Sequence, residues 1–179
     1  MDNIPEYKQI VFDEARIKSR IKELGAQIEA DYADCDLVII GVCNGALYFM
    51  SDLTRAINKA LQIDTIGFGN IPDTTNKTGV VRITKHVTTD IKGKRVLLIE
   101  DVVRTGLTTA YLISQLEALG PASIDVCTML FNPDRLLMPI PIKYYGFEID
   151  NKWLLGYGLD YMEKGRNLPF IVEIEKNKK

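Results

Sequence analysis

Two adjacent carboxylates, Glu100 and Asp101, stand at the end of the apolar run Val96-Leu97-Leu98-Ile99, with Arg104, Thr105, Gly106, Leu107, Thr108 and Thr109 close behind. An uninterrupted apolar run of this length reads as a strand buried on both faces of a parallel sheet. The C-terminal end of such a strand is where open α/β sheets place their ligands. Carboxylates there accept hydrogen bonds from a vicinal diol or hold a hydrated Mg²⁺. The Gly-containing turn that follows opens a helix, and backbone N–H groups and hydroxyls at a helix N-terminus suit a phosphate. Sugar hydroxyls beside a phosphate is therefore the chemistry these residues point to. The alternative reading is a pair of solvated acids that merely end a strand.

The elements that position this segment are legible from periodicity. Ile17, Ile21, Leu24 and Ile28 recur at helical spacing and predict an amphipathic helix from about Phe12 to Ala33. Leu37-Val38-Ile39-Ile40 is a short buried strand. A turn containing Gly45 follows, then a helix carrying Leu53, Ile57 and Leu61. The carboxylate strand and a helix from Thr108 to Leu119 form a second such unit, and Ile124 to Leu130 a third strand after the Gly120-Pro121 break. Lys143 to Ile149 follows as a further segment. Strands alternating with helices imply a mainly parallel sheet flanked by helices. Residues 64 to 95, punctuated by Gly67, Gly69, Pro72 and Gly79, suggest two strands joined by a lid-like loop.

Composition sets bounds on partners. The chain has 179 residues, 46% hydrophobic and 26% charged, which is ordinary for one globular domain. Lys and Arg total 22 against 24 acids, a net charge of −2, so no basic excess points to nucleic acid. Cys35, Cys43 and Cys127 are odd in number and widely spaced, which favours free thiols in a reducing compartment. The N-terminus lacks a basic start and an apolar run, and no stretch has the length of a bilayer span. A cytoplasmic protein with no membrane partner is expected.

The segment from Glu100 to Thr109 resembles the phosphoribosyl pyrophosphate (PRPP) motif of type I phosphoribosyltransferases: two acids, two apolar residues, a variable residue, then Thr-Gly-x-Thr. The resemblance to the hypoxanthine-guanine branch extends from about Asp36 to Pro169. It includes Gly79-Val80-Val81-Arg82-Ile83, Ile91-Lys92-Gly93-Lys94 and Trp153-Leu154-Leu155-Gly156-Tyr157-Gly158-Leu159-Asp160-Tyr161. It implies an α/β fold with a mainly parallel central sheet flanked by helices. It further implies a single domain over 1–179, with a core at about 36–140 and a small hood from the N-terminal region and about 141–179. It also implies Mg²⁺ as cofactor and a homodimer or homotetramer.

On the resemblance, Glu100 and Asp101 contact ribose, and Thr105, Gly106, Leu107, Thr108 and Thr109 hold the 5′-phosphate. Asn44, Gly45 and Arg166 meet pyrophosphate, with the family's non-proline cis peptide falling between Cys43 and Asn44. Glu100, Asp101 and Asp160 are metal-associated. Trp153 stacks on the purine and Leu154 presents main-chain groups to its edge, against the alternative of Trp153 as a core aromatic.

Four positions depart from the family pattern. Asn44 replaces a Lys, Asn70-Ile71 replaces the Ser-Tyr pair of the lid, Arg104 replaces the acid that accepts the N7 proton, and Asn132 replaces the Lys that holds the 6-oxo group. Arg is a donor-only fixed cation and cannot act as that base. Its fork matches the N7 and O6 acceptors of a finished 6-oxopurine nucleotide. The other reading has Arg104 turned to solvent or to a carboxylate such as Glu100 or Asp160. The main expectation is a protein that binds GMP, IMP or PRPP, with transfer weak or lost and a regulatory role. The alternative is an active Mg²⁺-dependent salvage transferase making IMP or GMP and pyrophosphate.

Overall fold

The structure is a computed structural model that describes residues 6–70 and 81–175. Among the described residues nine strands form two sheets. The larger has six strands: β2 (Leu37–Cys43), β3 (Gln62–Asn70), β4 (Val81–Lys85), β5 (Arg95–Val103), β6 (Ser123–Phe131) and β7 (Ile142–Glu148), in the order β4-β3-β2-β5-β6-β7. All its pairings are parallel except β3 with β4. The smaller sheet, of order β1-β9-β8, joins β1 (Tyr7–Phe12) to β9 (Ile171–Ile174) and β8 (Trp153–Leu155) in antiparallel fashion. This small sheet draws on both early and late parts of the described residues, whereas 142–148, expected with the hood, forms β7 of the large sheet.

The unbroken apolar runs follow from burial on two faces. Leu37 and Ile39 of β2, Leu97 and Ile99 of β5, and Cys127 and Met129 of β6 lie in one core cluster with α1 (Glu14–Asp31) and α2 (Leu47–Arg55). Val38, Ile40, Val96, Leu98 and Val126, at the intervening positions, pack on the other face with Leu112, Ile113 and Leu116 of α3 (Leu107–Glu117). Period-two alternation thus serves two covered faces.

Helix α1 begins at Glu14, after the expected Phe12, because Asp13 caps it by accepting the Arg16 N–H at 2.8 Å. Helix α2 stops at Arg55, short of Ile57 and Leu61, which had been expected on it. Tertiary contacts override the periodicity there. The Asn58 N–H donates to Glu29 at 2.9 Å, and the Lys59 ammonium donates to the carbonyls of Tyr32, Ala33 and Cys35 at the end of α1. Ile57 still enters the same core. Of the expected lid pair, Ile71 lies outside the described residues.

From β2 the chain steps to β3 on one side, and from β5 to β6 on the other, so the strand order reverses between β2 and β5. The crevice beyond their C-terminal ends is the topological switch point where such sheets bind ligands. The carboxylate segment and the Asn44 turn both empty into it.

Candidate active site

The Cys43–Asn44 peptide bond is cis, as the resemblance implies, and the turn it starts is closed by Ala46 N–H to Val42 O at 3.0 Å. Gly45 lies directly under Asp101: a Cβ there would sit 2.0 Å from Asp101 Oδ2. Gly158 packs on the same turn, since its own Cβ would lie 2.0 Å from the Gly45 carbonyl oxygen, and its φ of +103° is one that L side chains rarely adopt. Two glycines in contact thus bring the loop after β2, the end of β5 and the segment after β8 together.

That third segment carries Asp160 and Arg166. Arg166 donates to the Gly158 carbonyl at 2.7 Å and pairs with Asp160 at 2.8 Å. Asn44 is exposed beside it on the turn. The structure therefore assembles Asn44, Gly45, Asp101, Asp160 and Arg166 at one place.

Glu100 and Asp101 differ in setting. Glu100 is 4% exposed and accepts a hydrogen bond from the Thr109 hydroxyl at 3.0 Å. Burial, then the charge of Asp101, pushes its carboxyl well above the usual carboxylate range, against the pull of Thr109. Burial also pushes Asp101 up. The Val102 N–H, donating to it at 2.8 Å, and the charge of Arg166 pull it down, while Asp160 pushes it up again. No cluster of three metal-ligating side chains is present among the described residues. A divalent cation would nonetheless fit the Asp101–Asp160 pair, because it would relieve their mutual repulsion, and Mg²⁺ takes few protein carboxylates beside substrate oxygens.

Two cavities share this wall. One, of about 290 Å³, is lined by Glu100, Asp101, Arg104, Thr105, Gly106, Thr108 and Thr109 among others, with Phe68 from β3. Gly106, at φ +75°, is the N-cap of α3 and carries no side chain to cover the first helical N–H groups. The Thr109 hydroxyl is committed to Glu100, so Thr105 and Thr108 are the hydroxyls nearer to a ligand's reach. Leu107, at the first helical position, is exposed and offers its backbone alone.

The second cavity, of about 410 Å³, is lined by Asp101, Arg104, Arg135, Lys152, Trp153, Leu154 and Asp160 among others. Trp153 is 51% exposed at its edge, the setting of a stacking platform more than of a core aromatic. Arg104 turns neither to Glu100 nor to Asp160: it donates to the carbonyls of Lys152 at 2.9 Å and Asp150 at 3.4 Å. Burial, then the nearby charge of Arg135, lowers its affinity for its proton, while Asp150 raises it. Asn132 is fully buried and does not line this cavity; its amide donates to Asn151 Oδ1 at 3.4 Å, and its own Oδ1 has no partner. Arg135 and Lys152 were not singled out in the sequence. They sit in a short 3-10 turn (Pro133–Arg135) and a loop, where no periodicity marks which charges face a cavity.

Comparison with known proteins bears on the family and the fold. The family model described as a phosphoribosyl transferase domain matches residues 8–162. A hypoxanthine-guanine phosphoribosyltransferase of Dictyostelium discoideum is 38% identical over 94% of this chain and 96% of that protein. One from Mycobacterium tuberculosis is 40% identical over 93% of this chain and 85% of that protein. The chain belongs to the hypoxanthine-guanine phosphoribosyltransferase family. A solved structure of such a protein from Bacillus anthracis superposes with a TM-score of 0.88 at 35% identity, covering 95% of this chain and all of that one. The type I phosphoribosyltransferase fold read from the sequence is therefore the fold of this chain. None of these comparisons indicates lost activity or a regulatory role, and they favour the active-transferase alternative over the expected non-catalytic binder. No helix among the described residues is long and apolar enough to cross a membrane.

Proposed function

We propose that this chain is a working transferase that joins a purine base to PRPP, releasing pyrophosphate and forming IMP or GMP from hypoxanthine or guanine. The observation that carries the reading is the shared wall. The cavity under α3 and the Trp153 cavity meet at Asp101 and Arg104, so a ribose bridging them would have its phosphate on one side and its base on the other.

In this reading the α3 N-terminus, with Thr105 and Thr108, binds the 5′-phosphate, and Glu100 and Asp101 receive the ribose hydroxyls. The Asn44-Gly45 turn and Arg166 receive the pyrophosphate, whose oxygens need donors as charge builds on the leaving group. Trp153 holds the base face and the Leu154 backbone its edge. Asp101 and Asp160 would hold Mg²⁺, which supplies charge neutralisation for the leaving pyrophosphate. The free thiols Cys35, Cys43 and Cys127 fit a reducing cytoplasm, and the family resemblance implies a homodimer or homotetramer.

The test is a radiolabelled hypoxanthine or guanine assay with PRPP and Mg²⁺, beside calorimetric titration of GMP, IMP and PRPP. Nucleotide formation at an ordinary enzymatic rate, about 1–10³ s⁻¹, is expected. Tight nucleotide binding with no turnover on any base would overturn the reading.

A further inference from the structure

The base cavity carries cations where ring-nitrogen chemistry calls for an acceptor. Arg104 from the bend just after β5, Arg135 from the 3-10 turn and Lys152 from the loop before β8 all line it. The carboxylates around it are engaged. Asp160 pairs with Arg166 at 2.8 Å, Asp150 pairs with Lys152 at 3.2 Å, and Asp101 accepts from Val102 and lies over Gly45 on the pyrophosphate side. Arg104 spends two of its five N–H donors on backbone carbonyls, and a guanidinium offers no acceptor whatever its orientation.

A neutral purine fits this poorly in either ring tautomer. With the proton on N7 it sets a donor against a donor-only cation. With the proton on N9 the attacking nitrogen has no lone pair available, and no free carboxylate of the cavity is placed to remove that proton. Resting on the transferase reading above, we propose that the site takes its purine as the anion deprotonated in the five-membered ring. Arg104 pairs with N7, and bases whose five-membered ring ionises readily are preferred. The burial of Arg104 and its repulsion by Arg135 agree with this, because an anion between them relieves both.

The step balances without a protein base. The five-membered ring loses its proton to water before the base enters. The N9 lone pair then forms the bond to C1′ of PRPP, the C1′–O bond to pyrophosphate breaks, and its electron pair leaves with pyrophosphate. Arg104 keeps its protons throughout.

The experiment compares kcat/KM for hypoxanthine and for 8-azahypoxanthine, whose triazole ring is the more acidic, with PRPP and Mg²⁺ across the neutral and mildly alkaline range. For each base kcat/KM should rise with pH in step with that base's own ionisation, so the two profiles are displaced from one another. Near neutrality the 8-aza base should be favoured about tenfold for each pKa unit by which its ring is the more acidic, because only the ionised fraction is taken. Arg104→Asp should reverse that preference and flatten the hypoxanthine profile. Arg104→Gln, which keeps the length and loses the charge, should remove the preference without reversing it. Superimposed profiles for the two parent reactions, or a preference that survives both variants, would overturn the proposal while leaving the transferase reading intact. Absence of pyrophosphate release with either base at any pH would remove both.

Discussion

At the scale of single residues, the site depends on what is missing as much as on what is present. Asp101 reaches over the turn after β2 only because Gly45 has no side chain. A methyl group there would stand 2.0 Å from the carboxylate oxygen, so Asp101 must rotate away. Misplacing a catalytic group by about 1 Å costs on the order of a hundredfold in rate. Gly45→Ala is therefore expected to lower kcat about a hundredfold, with a stability loss of about 1–3 kcal/mol from the crowding. Steady-state kinetics beside denaturant unfolding checks this, and a variant of normal turnover would show that Asp101 does not need its observed position. The acid pair, its spacing to Thr105-Gly106 and Trp153 as a residue at a cavity instead of in the core were legible in the sequence because a local motif carries them. The burial of Asn132 and the cationic company of Arg104 were not. They depend on how the 3-10 turn and the loop before β8 fold back on the end of β5, and side-chain spacing along one strand says nothing of that.

At the scale of elements, β3 and the segment after β4 are tied by one carboxylate. Asp64 accepts hydrogen bonds from the N–H groups of Thr65, Thr88 and Thr89 and from the Lys85 ammonium at 2.8 Å. Burial alone would raise its pKa, but Lys85 and then the three backbone donors outweigh it and hold the carboxyl well below the usual range. A depressed folded-state value means stability that is fully present above the unfolded value of about 4 and is lost as pH falls through the folded one. Asp64→Asn is expected to cost about 2 kcal/mol at neutral pH, the scale of hydrogen bonds to a charged group. The gap between parent and variant should narrow once the pH drops below about 4. Urea unfolding at neutral and acidic pH measures it, and a gap independent of pH would contradict the ionic account. Glycine punctuation suggested two strands within residues 64 to 95, without boundaries, and the structure has β3 and β4 there. The role of Asp64 was invisible, because three of its four partners lie more than twenty residues away in the chain.

At the scale of the whole molecule, the small sheet must hold Trp153, Asp160 and Arg166 in fixed relation to the β5 acids on the large one. Three contacts between the two parts bear on this. Gly158 rests on Gly45, the Tyr157 hydroxyl donates to Asp52 of α2 at 2.7 Å, and the Phe12 ring at the end of β1 stacks on Phe147 of β7. The last pair has centroids 4.2 Å apart at 13°, with the Arg16 guanidinium 5.0 Å from one ring and 5.1 Å from the other. Phe12 is 5% exposed and belongs to the main core, so it joins the first strand of the hood directly to the body of the protein. Removing the ring leaves a cavity and strips both Phe147 and Arg16 of a partner, so Phe12→Ala is expected to cost about 3–5 kcal/mol. Because Phe12 anchors β1, and β1 pairs with β9, the loosening should be local before it is global. Amide exchange should quicken in β1, β8 and β9 well beyond its change in β2 and β5, and KM for PRPP should rise as Asp160 and Arg166 lose their fixed distance from Asp101. Phe12→Leu, which keeps most of the apolar burial and loses the stack, should cost about 1 kcal/mol and leave that exchange difference small. Uniform quickening across both sheets in Phe12→Ala would mean that hood and body open as one cooperative unit, and that the aromatic pair is ordinary core packing with no particular part in aligning the site.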